Sequence, residues 1–236
     1  MQTSPLPIHG VAPQRIVIAG GPGSGKSTLL QALADTGEVC YGESSRVLIR
    51  EQLATAGPLV PWSDLPAFAQ ECSKRMRAQL TDSARHRRCF FDRGLPDLIG
   101  YLEHGGRSAP DEWREISRAY STTVFFAPPW REIYVNDAER PQTFAEASEL
   151  SVHIRRAYED CGFRLVELIK SPVAERRRQI LDYLGTHQHE GAHQHEGTHQ
   201  HEGTHQHEGT HQHEGTHQHE GTHQHEGTHQ HELDHD

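Results

Sequence analysis

The sequence has no apolar run approaching the roughly 20 residues that a membrane-crossing helix needs. Its opening stretch, Met1 to Pro13, is polar and Pro-rich and lacks the apolar core of a secretory signal. Cysteine is sparse. Cys40, Cys72, Cys89 and Cys161 lie far apart and form no C-x-x-C pair. That spacing argues against a disulfide framework or a cysteine zinc site and fits reduced thiols in a cytoplasmic protein. Basic excess is also missing. Ten of the 33 acids fall after His187, where there is no Lys or Arg. The body, with all 23 Lys plus Arg, is therefore formally neutral, and the tail holds the whole net charge of −10. A neutral body makes no whole-domain case for a nucleic-acid partner. The run Arg176-Arg177-Arg178 reads as a solvated helix face.

The tail is a repeat. From His187 the hexapeptide H-Q-H-E-G-T recurs, with Ala192 as its one variant, and an eighth unit begins at His229. Such a polar, Gly-punctuated segment cannot bury a core, so disorder is expected. Its imidazoles and carboxylates suit Zn²⁺ or Ni²⁺. The expected organisation is a lead-in over 1–14, one domain over 15–185 and a His-rich tail over 186–236.

Within the domain, apolar runs alternate with helical patterns. Arg15 to Ala19, Glu38 to Tyr41, Cys89 to Phe91, Thr122 to Ala127 and Arg164 to Ile169 read as five strands. Helices are expected over Ser27 to Ala34, Ser44 to Ala56, Pro96 to His104, Pro110 to Tyr120, Phe144 to Cys161 and Pro172 to Leu184. A further long helix is expected from an N-cap at Ser63 to about Arg87. The alternation predicts a three-layer α/β fold with a mainly parallel five-stranded sheet, and the motif Gly20 to Ser27 makes it a P-loop NTPase fold.

Gly20-Gly21-Pro22-Gly23-Ser24-Gly25-Lys26-Ser27 fits G-x-x-x-x-G-K-[ST] at each fixed position, with a strand before it and a helix after. Glycines let backbone amides turn inward as a nest for phosphate, and the helix N-terminus adds partial positive charge. Lys26 would reach the β- and γ-phosphates, Ser27 would bind Mg²⁺, and Thr28 would contact the α-phosphate. The ligand implied is MgATP. No N-K-x-D guanine motif is present, because Asn136-Asp137 does not fit it, so ATP is favoured over GTP.

Other candidates stand at strand ends, which face the ligand crevice in such sheets. Asp92 closes the third strand and is the second Mg²⁺ candidate. Its neighbour is Arg93 rather than a water-activating Glu, which favours transfer over hydrolysis. Glu43 follows the second strand and could take a proton from an acceptor hydroxyl, or simply favour a helix N-terminus. After the fourth strand, Arg131 and Arg140 bracket a polar segment with the composition of a lid. Trp62 and Phe68 could stack on an acceptor.

The GGPGSGKST loop, Glu43-Ser44-Ser45-Arg46, FFDRGLPD from Phe90 and PPWREIYVNDAERPQTF resemble P-loop proteins of the AAA-family ATPase type, akin to the nicotinamide-riboside kinase domain of NadR. The resemblance spans Arg15 to Leu184. Asp92-Arg93 is also similar to the acid-arginine pair of deoxynucleoside kinases, although Gly94 stands where their serine would be. That likeness implies that Arg93 contacts either the reacting phosphate or Glu43. By resemblance to related kinases, Lys170-Ser171-Pro172 would hold the adenine. No second helical domain or arginine-finger module of hexameric motors is visible in the sequence.

Three functions are compatible with these residues. The first is a phosphotransferase moving the ATP γ-phosphoryl to a small hydroxyl-bearing acceptor. The second is an ATPase switch. The third is a metal-delivery NTPase using the tail.

Overall fold

The computed structural model describes residues 13–135 and 142–192, with side chains described as far as 186. Five strands, Gln14–Ala19 (β1), Val39–Tyr41 (β2), Arg88–Asp92 (β3), Thr123–Phe126 (β4) and Arg164–Glu167 (β5), form one sheet in the order β2-β3-β1-β4-β5. All four neighbouring pairs are parallel. The helices are Lys26–Ala34 (α1), Ser44–Thr55 (α2), Leu65–Asp82 (α3), Leu95–His104 (α4), Glu112–Ser117 (α5), Phe144–Asp160 (α6) and Val173–Ala192 (α7).

The two-residue period of a strand sends alternate side chains to opposite faces. Ile16, Ile18, Phe90 and Phe125 pack on one face with Leu29 and Leu33 of α1 and Ile180 of α7. Val17, Phe91, Val124 and Phe126 pack on the other with Phe68 and Met76 of α3, Leu98 of α4 and Ile154 of α6. Each such side chain contributes about 1.5–3 kcal/mol on burial. Strands this short are held by those two clusters, and the three-layer expectation stands. Among the described residues no helix is long and apolar enough to cross a membrane.

Several boundaries differ from expectation. The long helix is capped by Asp64, not Ser63: the Asp64 carboxylate accepts from Ala67 N at 3.0 Å, while Ser63 N is spent in a turn on Val60 O. A carboxylate can cap a helix at least as well as a hydroxyl and adds favourable charge at the N-terminus. The same helix ends at Asp82 rather than near Arg87. Ser83–Arg85 tightens into a 3-10 turn, with Ser83 Oγ bonded back to Leu80 O. Gln14 already belongs to β1, and α7 continues through Gly185 to Ala192. Gln, His and Glu are compatible with helix, and no proline stops the chain there. The lead-in over 1–12 and the rest of the repeat over 193–236 lie outside the described residues.

Candidate active site

β1 ends at Ala19 in the middle of the sheet, and Gly20 to Gly25 turn over its carboxyl end into α1. Gly25 is the N-cap of α1 with φ 77°. That left-handed φ favours glycine, and a Cβ there would also stand 2.8 Å from Arg176 Nη1, which would have to shift. No side chain caps α1, and its first turn has no acid. Its amide donors and positive dipole end are therefore available to an anion.

Lys26 is buried, and its Nζ donates to Gly21 O at 2.7 Å and to Ser24 Oγ at 3.2 Å. Burial, followed by the nearby Arg93 charge, lowers its pKa to about 7, against the opposing pull of Asp92, Glu43 and Asp97. A consequence can be measured. Bound phosphates need Lys26 charged, so above pH 7 the free protein must take up a proton as MgATP binds. Uptake should approach about one proton per MgATP at alkaline pH, with affinity falling by up to about tenfold per pH unit. Titration calorimetry in buffers of different ionisation heat measures this uptake. No uptake at pH 8.5 would refute a neutral Lys26 in the free protein.

Asp92 stands at the end of β3, level with Ile18 of β1. Ser27 Oγ donates to its Oδ2 at 2.7 Å, while its Oδ1 is buried without a hydrogen-bond partner. Burial, then the Glu43 charge, raises the Asp92 carboxyl above the usual range. A partnerless carboxylate oxygen beside a hydroxyl fits a hard cation with oxygen ligands. Ser27 and Asp92 are the residues that would hold Mg²⁺ with a nucleotide. There the ion would neutralise charge on the phosphate oxygens.

Arg93 takes φ 77°, a left-handed conformation uncommon outside glycine. It is fully enclosed. Its Nε donates to Glu43 Oε1 at 2.8 Å, and its Nη1 donates to Gly20 O at 3.0 Å and Asp97 Oδ1 at 2.9 Å. Asp97 also accepts from Gly94 N and the Tyr158 hydroxyl, at 3.0 and 2.6 Å. Of the two partners that the resemblance implies for Arg93, the structure shows Glu43. The guanidinium braces that carboxylate beneath the phosphate loop.

Glu43 is the N-cap residue of α2, and Arg46 lies one turn along. Both line the hollow in front of Gly23 to Thr28. Both also line a more enclosed apolar pocket walled by Trp62, Leu65, Phe68, Leu98 and Tyr101. The segment after β4 covers the phosphate loop with Ile133 and Tyr134, which approach Gly25 and Gly23. Arg131 is exposed and stacks over the Phe144 ring, 5.2 Å from its centroid, a cation–π contact at the start of α6. Arg140 lies outside the described residues.

One expectation is overturned. Arg176 does not belong to a solvated face: it is 3% exposed, and its Nη2 donates to Ser24 O at 3.1 Å. Its guanidinium sits 6.0 Å from the Trp130 ring centroid, and its Nε is buried without a partner. Burial lowers its pKa. The packing of α7 on α1 pulls this side chain inward. A signal existed, because Arg176, Ile180 and Leu184 recur at four-residue spacing on one helical face. Arg46 is the second site residue to which the sequence reading gave no role, although it lies three positions from Glu43.

A phosphate nest on a helix N-terminus, a buried lysine, and a serine-aspartate pair at the carboxyl edge of a parallel sheet define a P-loop domain of the kinase-like ATPase kind. The chain belongs to the AAA-domain family, whose model matches residues 15–176. No curated protein matches it by sequence. Its fold is similar to that of a deoxyadenosine kinase from M. mycoides solved with products, at 14% identity and TM-score 0.55, over 73% of this chain and 100% of that one. It is also similar to NadR solved with NAD and AMP-PNP, at 13% identity and TM-score 0.55, over 74% of this chain and 50% of that one. A shikimate kinase from Acinetobacter baumannii in complex with shikimate aligns at 15% identity and TM-score 0.51, over 74% of this chain and 94% of that one.

Proposed function

We propose that the chain is an ATP-dependent phosphotransferase that moves the γ-phosphoryl group to a hydroxyl of a small molecule held between α2, α3 and α4. The observation that carries this reading is the double position of Glu43. One carboxylate borders both the hollow of the phosphate loop and the apolar pocket. A hydrolase has no need of a second organic pocket beside its nucleotide. The walls formed by Trp62, Phe68 and Tyr101 suit a flat ring, with its hydroxyl turned toward Glu43.

In this reading Lys26 binds the β/γ-phosphate charge and Ser27 and Asp92 hold Mg²⁺. Arg46, at the junction of the two hollows, offsets charge on the transferring group. Glu43 takes the acceptor's proton as the acceptor oxygen bonds to the γ-phosphorus, and the bond to the β-bridging oxygen breaks to leave ADP. Arg93 holds Glu43 in place. Arg131 contributes charge to the transferring group only on leaving the Phe144 ring, and Arg140 is assigned the same role from its place in the sequence alone.

The test is a phosphoryl-transfer screen against nucleosides, vitamins and sugars, beside a no-acceptor control. One acceptor class should raise ADP release well above the control. With it, Glu43→Gln should lower kcat by about 10²–10⁴ while MgATP affinity is retained. Rapid hydrolysis that ignores every acceptor and the Glu43 substitution would instead establish an ATPase switch.

A further inference from the structure

α4 and α6 cross so closely that a Cβ on Gly100 would lie 2.7 Å from Ile154 Cα. That approach brings His104, at the end of α4, against Glu149 and His153, which are four residues apart on α6. The two imidazole rings are 5.0 Å apart between centroids, inclined at 62°. One ligand atom from each of the three side chains lies within 4.8 Å of the other two. None of the three belongs to the phosphate loop or the acceptor pocket.

We propose that His104, Glu149 and His153 form a binding site for a first-row divalent cation, with Zn²⁺ the best fit. Two imidazoles and one carboxylate are the donors such ions prefer, whereas Mg²⁺ favours oxygen ligands in an octahedron. Bonds of about 2.0–2.2 Å to one ion require the donor atoms to close to about 3.3 Å. His104 and Glu149 are exposed and His153 half-buried, so small side-chain rotations achieve this without moving backbone. The spacing of Glu149 and His153 places both on one helical face, and His104 supplies the third ligand from the other helix. Three protein ligands leave a fourth position open to solvent.

The ion would clamp two helices that support the nucleotide site. α6 places Ala147 and Ser151 directly against Gly21, and α4 carries Asp97, the partner of Arg93. Occupation of the clamp therefore stiffens the frame beneath the phosphate loop.

The repeat offers the same imidazole and carboxylate donors, so stoichiometry does not identify the site, but fold stability does. An ion on the repeat, even on its first unit at the end of α7, does not depend on His104 or His153, whereas one bridging α4 and α6 binds only the native state and needs both. The experiment measures thermal unfolding of the full chain in chelator-buffered Zn²⁺. The expected rise is about 5–10 °C when free Zn²⁺ is a hundred times the dissociation constant. His153→Ala and His104→Gln should unfold with wild-type midpoints in EDTA and lose the rise. Hydrogen exchange on the unsubstituted chain is the second readout: Zn²⁺ should slow exchange at the end of α4 and the middle of α6. The proposal is overturned by no rise, by an equal rise in both variants, or by exchange in those helices that ignores Zn²⁺.

Discussion

Lys26→Ala is expected to weaken MgATP binding by about a hundredfold or more while the fold stays intact, the loss typical of removing one positioned charge from a water-poor phosphate site. The fold is spared because Lys26 touches the loop itself and packs no core. Its amine is taken out of water and, among the described residues, donates to Gly21 O and Ser24 Oγ. The nucleotide-free variant should even gain stability. Lys26 falls from 10.5 in the unfolded chain to about 7 in the fold, so folding disfavours its proton. The penalty is therefore fully present below pH 7, declines as pH rises from 7 to 10.5, and vanishes above. Denaturant melts of both proteins at pH 6 and pH 10 test the sign, and calorimetry tests the affinity. An alanine variant that binds MgATP as the parent does would remove the assignment of this loop.

Much of this architecture is readable from the chain because its signals are local. The phosphate loop is eight consecutive residues whose spacing alone builds the nest. β1, β3 and β4 are apolar runs bounded by glycine, proline or an acid. Asp92 announces itself as the acid that closes a strand, and Glu43 as the acid two residues past one. What the chain conceals is pairing over distance. The bond from Arg176 to Ser24 joins residues 152 positions apart, and depends on how α7 lies on α1. A run of three arginines looks solvated until that packing is known. Arg93 illustrates both cases: Asp97 lies four positions away on the entry to α4, but Glu43 lies 50 positions away across the sheet. Binding charge at a helix start is a local property, whereas bracing a carboxylate requires the assembled sheet.

The second large effect is expected at Arg93. Replacing it with alanine removes its ion pairs to Glu43 and to the fully buried Asp97, a loss of about 3–5 kcal/mol for one side of a buried ion pair. The offset from relaxing a left-handed backbone is small, because alanine strains at φ 77° as arginine does. Loss of fold alone would say little about catalysis, so a second readout matters. The Arg93 charge lowers the pKa of Lys26 and of Asp92. Removing it must therefore raise both. Lys26 would then hold its proton above pH 7, and the pH at which MgATP binding begins to demand proton uptake should move upward. Arg93→Lys keeps the charge but loses the fixed fork that reaches Glu43, Gly20 and Asp97 together. That variant should keep the parent's pH midpoint for binding and lose acceptor-dependent transfer, because Glu43 is no longer held. Calorimetry across pH for the three proteins, with ADP release measured beside it, separates charge from geometry. A midpoint unchanged in Arg93→Ala, in protein shown by circular dichroism to be folded, would mean that Arg93 does not set the electrostatics of the phosphate loop. Full transfer by Arg93→Lys would mean that Glu43 needs no brace.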